Sequence, residues 1–219
     1  MRSALIFDLD GTLADTAPDL VGATNAVLAS CGLPAQDLNS LRAMAGFGAR
    51  ALINQAMTAC GRSVAPDDMP PLVEIFLAHY RAHIADASTL FPGVLETLAG
   101  LKADGAKLAV LTNKAQELTD PLLPLLGLGG MFDAVYGVGR MPYHKPDPRI
   151  FADVVAACGA TTGVMIGDTI TDLKTARAAG APCVLVGYGF TPVPATELGG
   201  DAVIDDFTQL PAALQALGW

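Results

Sequence analysis

Positive charge is scarce in this chain: 13 Lys and Arg stand against 22 Asp and Glu over 219 residues, a formal net charge of −9. No cluster of basic residues supplies the long-range attraction that nucleic acid or an anionic membrane requires, so neither is expected as a partner. Cysteine is thin as well. Cys31, Cys60, Cys158 and Cys183 are scattered without a C-x-x-C pair, which reads as reduced, mostly packed thiols of a cytoplasmic protein. Long apolar runs are missing. Ala4–Phe7 meets Asp8 too soon for a signal peptide, and Leu122–Phe132 is short and broken by Pro124 and glycines. No export signal or membrane span is expected. Charged residues make up only 16% of the chain and hydrophobic ones 52%, which excludes a disordered polyampholyte. At about 150 residues per domain, the length suits one full core and a smaller accessory domain.

What is present has a rhythm. Short apolar runs bounded by Gly, Asp or Asn recur at Ala4–Phe7, Leu108–Leu111, Ala134–Val138, Val164–Ile166, Cys183–Val186 and Ala202–Ile204, with helix-length segments between them in the C-terminal half. That pattern predicts an α/β fold: a doubly wound, Rossmann-like parallel sheet with helices on both faces. Pro92 opens one predicted helix that ends near Gly105, and Thr171–Ala179 forms another that stops at Gly180.

The first strand is out of step. About a hundred residues separate it from the second, where one crossover needs a few dozen. Apolar residues in that interval keep helical spacing: Leu20, Ala23, Val27 and Leu28, then Leu52, Ile53, Ala56 and Met57, then Leu72, Ile75, Phe76 and His79. The division expected is an α/β core of residues 1–14 and 85–219, with an inserted helical cap over 15–84.

Strand one runs into Asp8-Leu9-Asp10-Gly11-Thr12-Leu13. Period-two geometry puts both carboxylates on one side, and Gly11 lets the backbone turn away. A bare D-x-D is weak, but this one lies at the carboxyl end of a buried strand, where open α/β sheets place their ligands. Equivalent ends carry Thr112 and Asn113, Lys145, and Asp168 followed by Asp172. Asp8, Asp10, Asp168 and Asp172 are hard oxygen donors whose repulsion calls for a cation, and Mg²⁺ suits them. Lys145 reads as the lone fixed cation, with Thr112 and Asn113 as neutral donors. Together these residues describe a phosphoryl-transfer site with a carboxylate nucleophile.

These motifs resemble those of the haloacid dehalogenase-like superfamily, in order and spacing, over nearly the whole chain. Asp8–Leu13 is similar to its first motif, Leu111-Thr112-Asn113 to its second, Lys145-Pro146-Asp147-Pro148 to its third, and Gly167-Asp168 with Asp172 to its fourth. The resemblance implies that Asp8 becomes an aspartyl phosphate and that Asp10 is the general acid/base. It also implies that Asp8, the Asp10 carbonyl and Asp168 hold Mg²⁺, with Asp172 either a further ligand or one step removed. Dehalogenation needs neither that acid nor a metal, so Asp10 argues against that branch. The phosphonate-cleaving branch needs a cap lysine, yet Lys102, Lys107, Lys114, Lys145 and Lys174 all lie outside the expected cap.

Within the cap, Gly46-Phe47-Gly48-Ala49-Arg50 precedes a helical stretch. Glycines before a helix expose N–H groups at its positive end, and Arg50 adds a planar donor. A turn with a solvated arginine reads equally well from these residues alone. The stretch is similar to that of phosphoglycolate phosphatases, which implies a small phosphorylated metabolite, 2-phosphoglycolate first, bound by Asn113, Gly46, Gly48 and Arg50. Relatives acting on hexose phosphates or pyrophosphate, and mutases, share the core motifs. A phospho-signalling receiver is the alternative of a different class. Asp10, the inserted cap and a chain roughly twice a receiver's length oppose it. His79 with His83, His144, and Trp219 read as surface or packing residues. The chain is expected to be a monomer or homodimer.

Overall fold

The computed structural model describes residues 3–219. The strands are β1 (Ser3–Phe7), β2 (Ala14–Asp15), β3 (Thr89–Leu90), β4 (Lys107–Ala115), β5 (Ala134–Val138), β6 (Thr162–Gly167), β7 (Cys183–Val186) and β8 (Ala202–Ile204). Six of them form one sheet in the order β5-β4-β1-β6-β7-β8, parallel throughout, and β2 pairs with β3 in a separate ribbon. From β1 the chain steps to β4 and β5 on one side, then crosses back to β6, β7 and β8 on the other. That reversal makes the sheet doubly wound, as the spacing of the apolar runs predicts.

The chain divides into two compact units. One runs to Asp15 and resumes from Leu90 to Trp219; the other is Thr16–Thr89. The second unit contains α1 (Ala17–Ser30), α2 (Leu38–Leu41), α3 (Ala49–Ala59) and α4 (Met69–Ala82). The first contains α5 (Val94–Ala103), α6 (Gln116–Leu125), α7 (Pro148–Ala157), α8 (Ile170–Ala178), α9 (Ala195–Leu198) and α10 (Leu210–Ala216).

In the core unit the strands are apolar on both faces because both are covered. Ala4 and Ile6 of β1 pack with Ile150, Phe151 and Val154 of α7 and with Leu173 and Ala176 of α8. Phe7, of opposite parity, meets the rings of Phe132 and Phe207, at 6.4 and 6.1 Å between centroids.

In the helical unit α1 packs on α3 and α4. Leu20, Val27 and Leu28 of α1 are buried, as are Leu52, Ile53, Ala56 and Met57 of α3, all at the expected positions. The third helix differs from expectation. Its buried seam is Met69, Phe76 and Tyr80, while Ile75 is 36% exposed and Leu72 and His79 are half-buried. Spacings of seven and four select one stripe of α4, and Ile75 lies off it. The far end of this unit is tied to α1 by Asp19. Its carboxylate accepts the Ala87 and Ser88 amides and the Ser88 hydroxyl at 2.6–3.1 Å. Among the described residues no helix is long and apolar enough to cross a membrane.

Candidate active site

Strand register sets the site. Phe7 lies opposite Val110 of β4 and Ile166 of β6, so the residues just beyond these positions leave the sheet at one level. The Asp8 amide extends the ladder by donating to the Ile166 carbonyl at 2.9 Å. Asp8, Thr112 and Asp168 therefore emerge together at the carboxyl edge, all buried.

Asp8 is held at both oxygens. Oδ1 accepts the Leu9 amide at 2.7 Å, and Oδ2 lies 2.9 Å from Lys145 Nζ. Lys145, only 2% exposed, is also 2.6 Å from Asp172 Oδ1. The other Asp172 oxygen accepts the amide and hydroxyl of Thr169 at 3.0 and 2.7 Å, closing the first turn of α8. Asp172 thus fixes both the lysine and the helix start. Asn113, exposed, donates its amide to the Lys145 carbonyl at 3.1 Å, and His144 Nδ1 lies 2.8 Å from the same oxygen. Thr112 Oγ1 accepts the Lys114 amide at 3.1 Å, leaving its own proton to donate.

Asp168 is enclosed. Oδ1 accepts the Thr12 hydroxyl at 3.2 Å and Oδ2 accepts the Phe190 amide at 2.7 Å. Two glycines make room for it. A Cβ on Gly11, whose φ is +82°, would lie 2.3 Å from Asp168 Oδ2, and one on Gly189 would lie 2.2 Å from Asp168 Cβ. Tyr188, which precedes Gly189 in the same loop, donates its hydroxyl to the Thr12 carbonyl at 3.0 Å. The loop of residues 188–190 carries no recognisable motif, and the sequence gives no signal that it belongs here.

A second residue missed by sequence reasoning is Lys114. Its Nζ lies 3.0 Å from Asp10 Oδ1 and 3.3 Å from Oδ2, with the lysine side chain 4% exposed. The expectation of a lone fixed cation is therefore corrected: each acid of the D-x-D has its own lysine. The signal was present, since Lys114 follows Thr112 and Asn113 directly.

The electrostatics of the cluster suit a cation. Asp8, Asp168 and Asp172 each offer an oxygen within 4.8 Å of one another, a grouping that could hold a metal ion. Counting Asp10 as well gives four carboxylates against Lys114 and Lys145, an excess of two negative charges when all are ionised. Burial raises the Asp8 carboxyl to about 6, with Lys145 opposing and Asp172 and Asp10 adding to the rise. Asp168 is pushed well above the usual carboxylate range by burial and by the charges of Asp172 and Asp8. Burial pulls the Lys145 ammonium down, but Asp172 and Asp8 more than offset it, and it stays charged.

Gly46, Gly48 and Arg50 lie in the helical unit. Gly46 is within a 3₁₀ turn, Gly48 caps α3 with φ +83°, and Arg50 is exposed on the first turn of α3. The Ala51 and Leu52 amides already donate to the Gly48 carbonyl at 3.1 and 3.2 Å, so neither is offered to a ligand.

Residues 5–186 match the family described as haloacid dehalogenase-like hydrolase. A phosphoglycolate phosphatase of Caulobacter vibrioides is 47% identical over 213 residues, covering 96% of this chain and 90% of the relative. One from Agrobacterium fabrum is 41% identical, with 95% and 91% covered. Among solved structures, one from Haemophilus somnus described as a predicted phosphoglycolate phosphatase superposes with a TM-score of 0.88 at 30% identity, covering 98% of each chain.

Proposed function

Because this chain belongs to the haloacid dehalogenase-like hydrolase family and is an enzyme of the phosphatase kind, we propose that it hydrolyses 2-phosphoglycolate, with Asp8 as nucleophile and Mg²⁺ as cofactor. The observation that carries this reading is the pairing of Asp8 with Lys145 inside a buried carboxylate cluster at the end of β1. The names of the relatives support the choice of ester. The family match sets the receiver-like alternative aside.

The donor set fits the metal. Carboxylate oxygens suit a hard cation, and the excess of two negative charges is what a divalent ion balances. Asp8, Asp168 and the Asp10 carbonyl would hold it. Asp172 holds the Lys145 ammonium at 2.6 Å and closes the first turn of α8 through Thr169, so it is assigned to support Lys145 instead. When bound, Mg²⁺ supplies positive charge that lets an anionic nucleophile approach an anionic phosphate.

In the reaction one Asp8 oxygen attacks phosphorus while Lys145 and the Thr112 hydroxyl bind the phosphoryl oxygens. The ester oxygen leaves with a proton from Asp10, giving glycolate and an aspartyl phosphate. Asp10 then takes a proton from water, which attacks phosphorus to release inorganic phosphate and restore Asp8. Asn113 orients the Lys145 loop through its carbonyl, and Gly46, Gly48 and Arg50 are assigned to the substrate carboxylate.

The test is phosphate release over a panel of small phosphomonoesters, with Mg²⁺ and with EDTA. Phosphoglycolate turned over fastest, and only with the metal, is the expected result. Preference for a hexose phosphate or for pyrophosphate would move the substrate and leave the core chemistry in place.

A further inference from the structure

Asp10 has a demanding task in the reaction proposed above. Its carboxylate must face first the leaving oxygen and then the attacking water, and it works only if its orientation is held. D-x-D spacing puts the side chain on the correct side of the strand but leaves its own torsions undetermined. Lys145 cannot hold it, because that ammonium is already shared between Asp8 at 2.9 Å and Asp172 at 2.6 Å.

Lys114 is placed to do so. One ammonium reaches both Asp10 oxygens, at 3.0 and 3.3 Å, which fixes the plane of the carboxylate as well as its position. The lysine is itself constrained. Its side chain is 4% exposed, its amide donates to Thr112 Oγ1, and it sits where the β4–β5 ladder slips between Leu111 and Ala115. A nearly buried ion pair is a poor source of folding energy, because desolvating two charges offsets their attraction. Its presence beside the reacting centre is accounted for by the geometry it imposes.

We infer that Lys114 is the positioning residue for Asp10, gripping the carboxylate so that it points at the reacting phosphoryl group. This rests on the reading of Asp10 as the general acid/base. Lys114 thereby acts on turnover through Asp10, not by holding substrate.

The experiment is a double-substitution cycle in the full-length protein, measuring kcat and KM for phosphoglycolate in saturating Mg²⁺. Lys114→Met should lower kcat on the order of ten- to a hundredfold, the scale of a misplaced reacting group, with KM nearly unchanged. Lys114→Arg, which keeps a cation of different reach, should recover part of the loss. Asp10→Asn combined with Lys114→Met should be no slower than Asp10→Asn alone, because nothing is left to position. Losses that multiply, an unchanged kcat in Lys114→Met, or a rise confined to KM would each overturn the inference. A KM effect alone would make Lys114 a substrate contact. If Asp10→Asn slows turnover and Lys114→Met does not, the positioning role fails while the acid/base reading stands; if Asp10→Asn has no effect, both fail. Should Lys114→Met not fold, Lys114→Gln takes its place in the same cycle.

Discussion

The core and helical units treat their polar groups in opposite ways. Around Asp8 the charged side chains named above are buried or nearly so and each is held by a partner: Asp8 by Lys145, Lys145 by Asp172, Asp10 by Lys114, and Asp168 by the Thr12 hydroxyl and the Phe190 amide. In the helical unit the Gly46–Gly48 turn and Arg50 are exposed, and the buried Asp19 is used on the unit's own backbone. On the function proposed above, the groups assigned to the phosphoryl centre are the ones fixed by mutual bonding, and those assigned to the rest of the substrate are the exposed ones.

That contrast predicts losses of graded size. Asp8→Asn keeps the shape but removes the attacking charge, so turnover should fall to background while folding survives. Near wild-type turnover, without deamidation back to Asp, would sink the covalent mechanism. EDTA should likewise abolish activity and Mg²⁺ restore it, with Asp168→Ala raising the metal requirement sharply. Full activity in metal-free buffer would break the assignment of the carboxylate cluster. Lys145→Ala should cost roughly 10²–10³ in kcat/KM, as for a lost donor to a developing anion.

On the exposed side the effect should be selective. Arg50→Ala should depress kcat/KM for phosphoglycolate by about ten- to a hundredfold, the worth of a charged hydrogen bond. It should spare p-nitrophenyl phosphate, which has no carboxylate. Equal losses for both substrates would make Arg50 a structural residue of the helical unit, and no loss for either would make it a solvated side chain.

The smallest effects concern stability. A carboxyl with a folded pKa above its unfolded value holds its proton more tightly when folded. For Asp8, raised to about 6, this costs nothing below the unfolded value of about 3.9. The cost grows as the pH rises towards 6 and is complete above it. Metal-free protein should therefore melt at progressively lower temperature over that window relative to Mg²⁺-loaded protein, and the Mg²⁺ increment should be larger at pH 7.5 than at pH 5. An increment independent of pH would dissociate the ion from these carboxylates. In the helical unit, Asp19→Ala should destabilise by roughly 1–3 kcal/mol, because buried amides lose their acceptor. Denaturant melts would read this directly.

Much of this was legible in the sequence because it rests on local periodicity. All six apolar runs lie in the strands of the main sheet, and the interval that is too long for one crossover holds the four helices of the inserted unit in addition to α5. Asp8, Asp10 and Asp168 could be read because each closely follows a strand end, and Lys145 because it lies in the segment that follows β5. What escaped was pairing across distance. Lys114 meets an acid 104 residues away, and Phe190 and Tyr188 reach back to Asp168 and Thr12 from a loop with no motif. Neither Asp172 as an anchor for Lys145 nor Asn113 as a donor to its carbonyl has a signature in spacing, since both depend on how two turns face each other. On α4, the shift of the seam from Ile75 to Met69 and Tyr80 reflects which stripe α1 and α3 cover.

The bond from the Phe190 amide to Asp168, and that from the Tyr188 hydroxyl to Thr12, also have a consequence in time. Strand β1 lies in the middle of the sheet, between strands made about a hundred and a hundred and sixty residues later. During synthesis at about 5–20 residues per second, Asp8 waits roughly ten to forty seconds before the segment that closes around Asp168 leaves the ribosome. Until β4 and β6 are made, β1 is an apolar strand with two unpaired edges, and until Phe190 emerges Asp168 lacks the amide that closes over it. Release of phosphate from stalled chains of increasing length should thus begin only once Phe190 has emerged, making turnover a clock for closure around Asp168.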